Sequence, residues 1–208
     1  MNWSDIDGLD VDQAAEAIWQ HNHTRTRLET IRSMLGAAPT DLKGYRPDGD
    51  YKHQMVNLGP YAEKVVARVL TDGDNIALRS PDNNNARDIY FVNNGRVQDR
   101  GLQVKLGDPN EHIFYSLRKR LARGHADDIV LDDSLVSDGR LGEAFTPYKR
   151  RSLQTAIDGA GVRVLGVPGL LARARTERAI DASRGVRSGI LRMVRAGQNL
   201  KYSKKIDV

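Results

Sequence analysis

The chain contains no cysteine. A disulfide framework and a zinc–thiolate site are therefore both excluded. No apolar stretch approaches the ~20 residues a membrane-crossing helix needs. The opening MNWSDIDGLDVDQ is acidic and lacks the basic-then-apolar pattern of a secretory signal. The expectation is a soluble, cytoplasmic chain without a membrane partner. There is no P-loop, no GxGxxG fingerprint and no Ser-His-Asp arrangement, and neither internal repeats nor low-complexity tracts occur. The five histidines are scattered. Only His21 and His23 are close, and residues two apart on a helix do not face the same way, so they read as a surface pair.

What is present is ordinary for a folded protein. With 208 residues, 39% hydrophobic and 28% charged, the chain can bury a core without staples. One domain, or one core with helical extensions, is expected. The net charge is +5 and the pI about 9.5, which favours a polyanionic partner. The excess is uneven. From Val167 to Val208 ten Lys/Arg face three Asp/Glu, a net +7 that leaves the remainder at −2. Such asymmetry predicts a tail that faces nucleic acid, or a solvated basic helix.

Along the chain, apolar residues from Val11 to Leu35 recur at helical spacing, and residues 36–54 read as a linker. YAEKVVARVL after Pro60 predicts a short helix. Strands are expected at Ile76–Leu78, Ile89–Val92 and Leu102–Leu106, the last two joined by an Asn-Asn-Gly turn. A basic helix over 111–124, a strand at Asp128–Leu131, a mostly helical stretch over 141–158 and a strand at Val162–Val167 follow. Further helices are expected over 169–183 and 186–196. The order predicts an α/β fold, a mixed central sheet with helices on both faces. The divisions are 1–54 (N-terminal helix and linker), 55–167 (α/β core) and 168–208 (basic helical C-terminal extension).

The informative segment is Asp88-Ile-Tyr-Phe-Val-Asn-Asn-Gly followed by Gly101-Leu-Gln103-Val-Lys105-Leu. Strand alternation puts Gln103 and Lys105 on one face and Leu102, Val104 and Leu106 on the other. A lysine in a short apolar strand needs either water or a partner. The arrangement therefore predicts a wet sheet face or a site.

These residues and the order of elements resemble the PD-(D/E)xK nuclease superfamily, over roughly residues 55–167. Asp88 matches the family's Asp, Lys105 its Lys, and Glu63 in YAEKVVARVL its helical Glu. Gln103 departs from the usual acidic residue, as in the Gln-x-Lys variants of that superfamily. The literal Pro-Asp dipeptide also occurs at Pro81-Asp82, but Asp88 abuts the better strand. The resemblance implies a restriction-endonuclease-like core that hydrolyses phosphodiester bonds of nucleic acid, DNA rather than RNA. It implies Mg²⁺ or Mn²⁺ held by Asp88, Glu63 and the Gln103 amide oxygen, with Lys105 acting on the water or on developing charge. Hard cations of this kind take oxygen ligands and rely on one or two carboxylates plus phosphate. Arg118, Lys119, Arg120 and Arg123 on the following helix, and Lys149, Arg150 and Arg151, are the expected grips on phosphate. Cutting both strands of a duplex would require two sites, as a homodimer would provide.

Plainer readings stand beside these. Asp88 can be a solvated strand start, Gln103 and Lys105 the wet face of an edge strand, Glu63 an exposed helical acid, and the basic residues a solvated helix face. A non-catalytic nucleic-acid-binding or assembly protein on a nuclease-like core, or a nuclease toxin domain, are the rival functions.

Overall fold

The computed structural model describes residues 57–80, 87–125 and 127–184, together with isolated positions between 8 and 55. Most of the helix expected over 11–35, the linker 36–54, the helix expected over 186–196 and the Pro81-Asp82 dipeptide lie outside the described residues.

Helix α1 (Gly59–Leu70) starts with Pro60 in its first turn, where a missing N–H costs nothing. Tyr61, Ala62, Val65 and Val66 recur at helical spacing and are buried. The helix ends at Thr71, whose hydroxyl donates to the Ala67 carbonyl (2.8 Å) and accepts the Ala77 N–H (3.1 Å). This ties the helix to strand β1 (Asn75–Arg79). Strands β2 (Ile89–Asn93) and β3 (Arg96–Val104) complete an antiparallel meander. The expected turn joins the last two, with Asn94 and Gly95 both at positive φ as a tight hairpin demands.

A π-helical turn (Pro109–Ile113), capped by Asp108, runs into α2 (Phe114–Leu121). Strand β4 (Asp128–Asp132), a small hairpin of β5 (Val136–Ser137) and β6 (Arg140–Leu141), α3 (Pro147–Gly159) and β7 (Val164–Val167) follow. Residues 170–184 are helical. The main sheet runs β1-β2-β3-β4-β7, antiparallel through the meander and parallel from β3 to β4 to β7. The protein is thus mixed α/β, a five-stranded mixed sheet flanked by helices. Among the described residues no helix is long and apolar enough to cross a membrane.

Alternation divides the core. Ala77, Ile89, Leu102, Val104 and Val130 pack on α1 and on Leu170 and Ala174 of the last helix. Ile129, Leu131 and Val164 face the other way, onto Ile113, Phe114 and Leu117 at the start of α2 and Leu153 and Ile157 of α3. Leu78, Tyr90, Val92 and Val97 bury Ala14 and Met34.

The stretch expected to be mostly helix, 141–158, is helical from Pro147 on, after a tight hairpin turn in which Asp138 and Gly139 take positive φ. The helical segment that follows residue 167 packs on the core. Leu170 and Ala174 are fully buried, and Arg178 and Asp181 nearly so. Buried Lys64 of α1 meets Glu177 at 3.5 Å and Asp181 at 3.6 Å. Asp132 and Asp133 at the end of β4 accept the Leu171 and Gly169 N–H groups at 2.8 and 3.2 Å, holding the start of that helix. Although burial pushes the Asp132 carboxyl upward, the Leu171 N–H and the Ser134 hydroxyl and N–H outweigh it and hold the carboxyl below its ordinary range.

Candidate active site

Asp88 stands just before β2 but is already laced into the sheet. Its carbonyl accepts the Ser80 N–H (2.8 Å) and its N–H donates to Leu102 (2.9 Å). The preceding residue fixes this position. Arg87 pairs with Asp127 (3.0 Å), and its guanidinium also reaches the backbone carbonyls of Gln98 and Asp99. Its stem crosses Gly101, where a Cβ would come within 2.4 Å of Arg87 Cδ and 2.5 Å of the Ile89 carbonyl oxygen. Only glycine fits there, next to a shift of register between β2 and β3.

Gln103 lies in β3 and is buried. Lys105 is one residue beyond the strand, its N–H still bonded to the Val130 carbonyl (3.0 Å). The expected strand to Leu106 is therefore shorter at its C-terminal end, yet Gln103 and Lys105 do come together. Lys105 Nζ touches three oxygens, Asp88 Oδ2 (3.2 Å), Gln103 Oε1 (3.2 Å) and the Val104 carbonyl (3.0 Å). The Val104 N–H donates to the same Asp88 Oδ2 at 2.8 Å. The side chains of Asp88 and Lys105 are 16% and 14% exposed, so the cluster opens to solvent at its rim.

Glu63 reaches this neighbourhood from α1, beside Asp88 and Lys105. Its Oε2 accepts from Arg79 Nε at 2.9 Å. Burial, then the Asp88 charge, raises its pKa from 4.5 to about 7, while Arg79 and Lys105 pull the other way. Glu63 therefore joins Asp88 and Lys105 through charge. Arg79 is the site residue that sequence reasoning missed. The signal was there: Arg79 shares its strand face with Ala77, which packs on α1, so a cation was being sent toward that helix.

The donor set suits a hard cation. Asp88, Glu63, the Gln103 amide and the Val104 carbonyl offer only oxygen, and three of these four groups are the ones that the Lys105 ammonium now contacts. Among the described residues no group of three or more His, Cys, Asp or Glu is placed to hold a metal.

The seven expected phosphate grips stand in different settings. Lys119 is exposed and lines a groove that starts at Leu106. Arg118 and Arg123 are exposed, and the Arg118 guanidinium lies 5.9 Å from the Phe114 ring centre; Arg120 is half-buried. Arg150 and Arg151 line a separate hollow with Arg140, Gln154 and Asp158. Lys149 is committed to the Asn110 carbonyl and to the rings of Phe114 and Tyr115. Compared with protein-family models, with curated proteins and with solved structures, the chain matches none.

Proposed function

We propose that this chain is a metal-dependent endonuclease that hydrolyses phosphodiester bonds of nucleic acid, DNA rather than RNA, on a restriction-endonuclease-like core. The observation that carries this reading is the convergence of Asp88, Gln103 and Lys105 at the end of β3, with Glu63 close enough to feel the Asp88 and Lys105 charges. The resemblance of these residues, in this order of elements, to the PD-(D/E)xK superfamily supports it.

Asp88, Glu63, Gln103 and the Val104 carbonyl would hold Mg²⁺ or Mn²⁺. Such a cation, when bound, acidifies water and offsets charge on a phosphate. The protein's own residues do the positioning. The Val104 N–H and the Arg87 clamp fix the Asp88 carboxylate before substrate arrives. Lys105, held at the rim, orients the attacking water and meets the charge that develops on phosphate oxygen. Arg79 balances Glu63, which keeps a second carboxylate inside the protein.

The test is cleavage of plasmid and branched DNA with Mg²⁺ or Mn²⁺ against an EDTA control. Lys105→Ala should abolish cutting while its circular dichroism stays near wild type. Robust cutting by that variant refutes the mechanism. A second reading, a non-catalytic nucleic-acid-binding protein, draws on the Arg79–Glu63 pair and on Gln103 in an acidic position. It takes over if the wild-type protein binds DNA and cuts none.

A further inference from the structure

One residue beyond Lys105 a groove opens between the end of β3 and α2. Its volume is about 990 Å³, and Leu106, Gly107, His112, Tyr115, Ser116 and Lys119 line it. Tyr115 is 62% exposed, the most open large aromatic on this helix. Its ring is nevertheless held. Phe114 meets it edge-on at 5.1 Å and 78° between planes, and Lys149 Nζ stands 5.2 Å from its centre. Lys149 is itself anchored to the Asn110 carbonyl, so the ammonium and the two rings form one braced unit between α2 and α3. An aromatic surface fixed in advance loses little freedom when something stacks on it.

We propose that this groove takes an unpaired DNA strand, with a base stacked on Tyr115 and the adjoining phosphate on Lys119. The strand runs from there toward Asp88 and Lys105. That direction rests on the endonuclease reading, whereas the stacking and phosphate contacts do not. An aromatic platform beside a cation is how proteins hold single strands without reading sequence, since every base has a flat face. A duplex hides those faces. It also carries two rows of phosphate, about one charge per 1.7 Å of axis, and the groove cannot neutralise both. Asp108 and Glu111 also line it, the former fixed by the Asn110 and Glu111 N–H groups at 2.8 and 2.9 Å. A second backbone would meet those carboxylates.

The experiment is fluorescence anisotropy of the full chain with labelled oligo-dT and with a duplex of equal length, in EDTA, so that no cutting can occur. Tyr115→Ala should weaken oligo-dT binding about tenfold or more, the loss expected for one base stack, and leave duplex binding within about twofold. Tyr115→Phe keeps the flat ring and should bind like wild type. Lys119→Ala should weaken oligo-dT and lower its salt slope by about 0.7. The proposal is overturned if wild-type protein binds no oligo-dT, if Tyr115→Ala binds it unchanged, or if that variant loses strand and duplex equally. Failure of the endonuclease reading looks different: Tyr115-dependent binding in EDTA, and no cutting when metal is added.

Discussion

Glu63→Gln tests the electrostatics of the site without any substrate. In the folded chain the Glu63 carboxyl titrates at about 7 against an ordinary 4.5, because burial and the neighbouring Asp88 charge disfavour its ionised form. A carboxyl raised in the folded state binds its proton more tightly there than in the unfolded chain. Stability is therefore highest below about pH 4.5 and falls as pH rises toward 7. The full span corresponds to about 3 kcal/mol, since one pKa unit is about 1.4 kcal/mol. Glutamine cannot ionise, yet its amide oxygen can still accept from Arg79 Nε. Relative to wild type, Glu63→Gln should gain up to about 3 kcal/mol between pH 5 and pH 8.5, on the order of 5–10 °C in melting temperature for a domain of this size. Asp88→Asn should remove part of the same pH dependence, because it takes away the charge that raises Glu63. Differential scanning calorimetry across that range measures both. Added Mg²⁺ should raise the wild-type midpoint more at pH 8.5 than at pH 5, by mass action on the ionised pair. Parallel stability–pH curves for wild type and Glu63→Gln would refute the reasoning.

Other outcomes follow from the same geometry. Gln103→Glu should keep or raise Mg²⁺-dependent cleavage, since it adds a carboxylate where Gln103 Oε1 already meets Lys105. In EDTA the same variant should bind DNA more weakly by anisotropy, because the added charge repels phosphate. Gly101→Ala should cost about 1–3 kcal/mol in urea denaturation, as its Cβ has no room against the Ile89 carbonyl, and should reduce cleavage by displacing Arg87 beside Asp88. Deleting residues 186–208 leaves the docked helix 170–184 in place and should flatten the salt dependence of DNA binding. An unchanged slope would show that the terminal basic residues do not touch phosphate.

The sequence by itself determined the order of strands and helices, because periods of two and of 3.6 residues are local properties. It also put Gln103 and Lys105 on one strand face. The β5–β6 hairpin was equally legible in Asp138-Gly139 but was overshadowed by the longer helical pattern. Tertiary structure alone decided which charges are inside. Lys64, Arg79, Asp128 and Arg178 are all buried. In sequence each looks like any solvated residue, since the carboxylates that meet Lys64 lie more than a hundred positions away and Arg163, which pairs with Asp128, lies thirty-five away. The C-terminal helix shows the same thing at larger scale. Its excess of arginine reads as a tail for polyanions, yet Leu170, Ala174, Arg178 and Asp181 fall on one stripe that docks against α1. A buried charge is tolerated only where partners offset much of its desolvation cost, and whether it has partners depends on distances in space that no local pattern encodes.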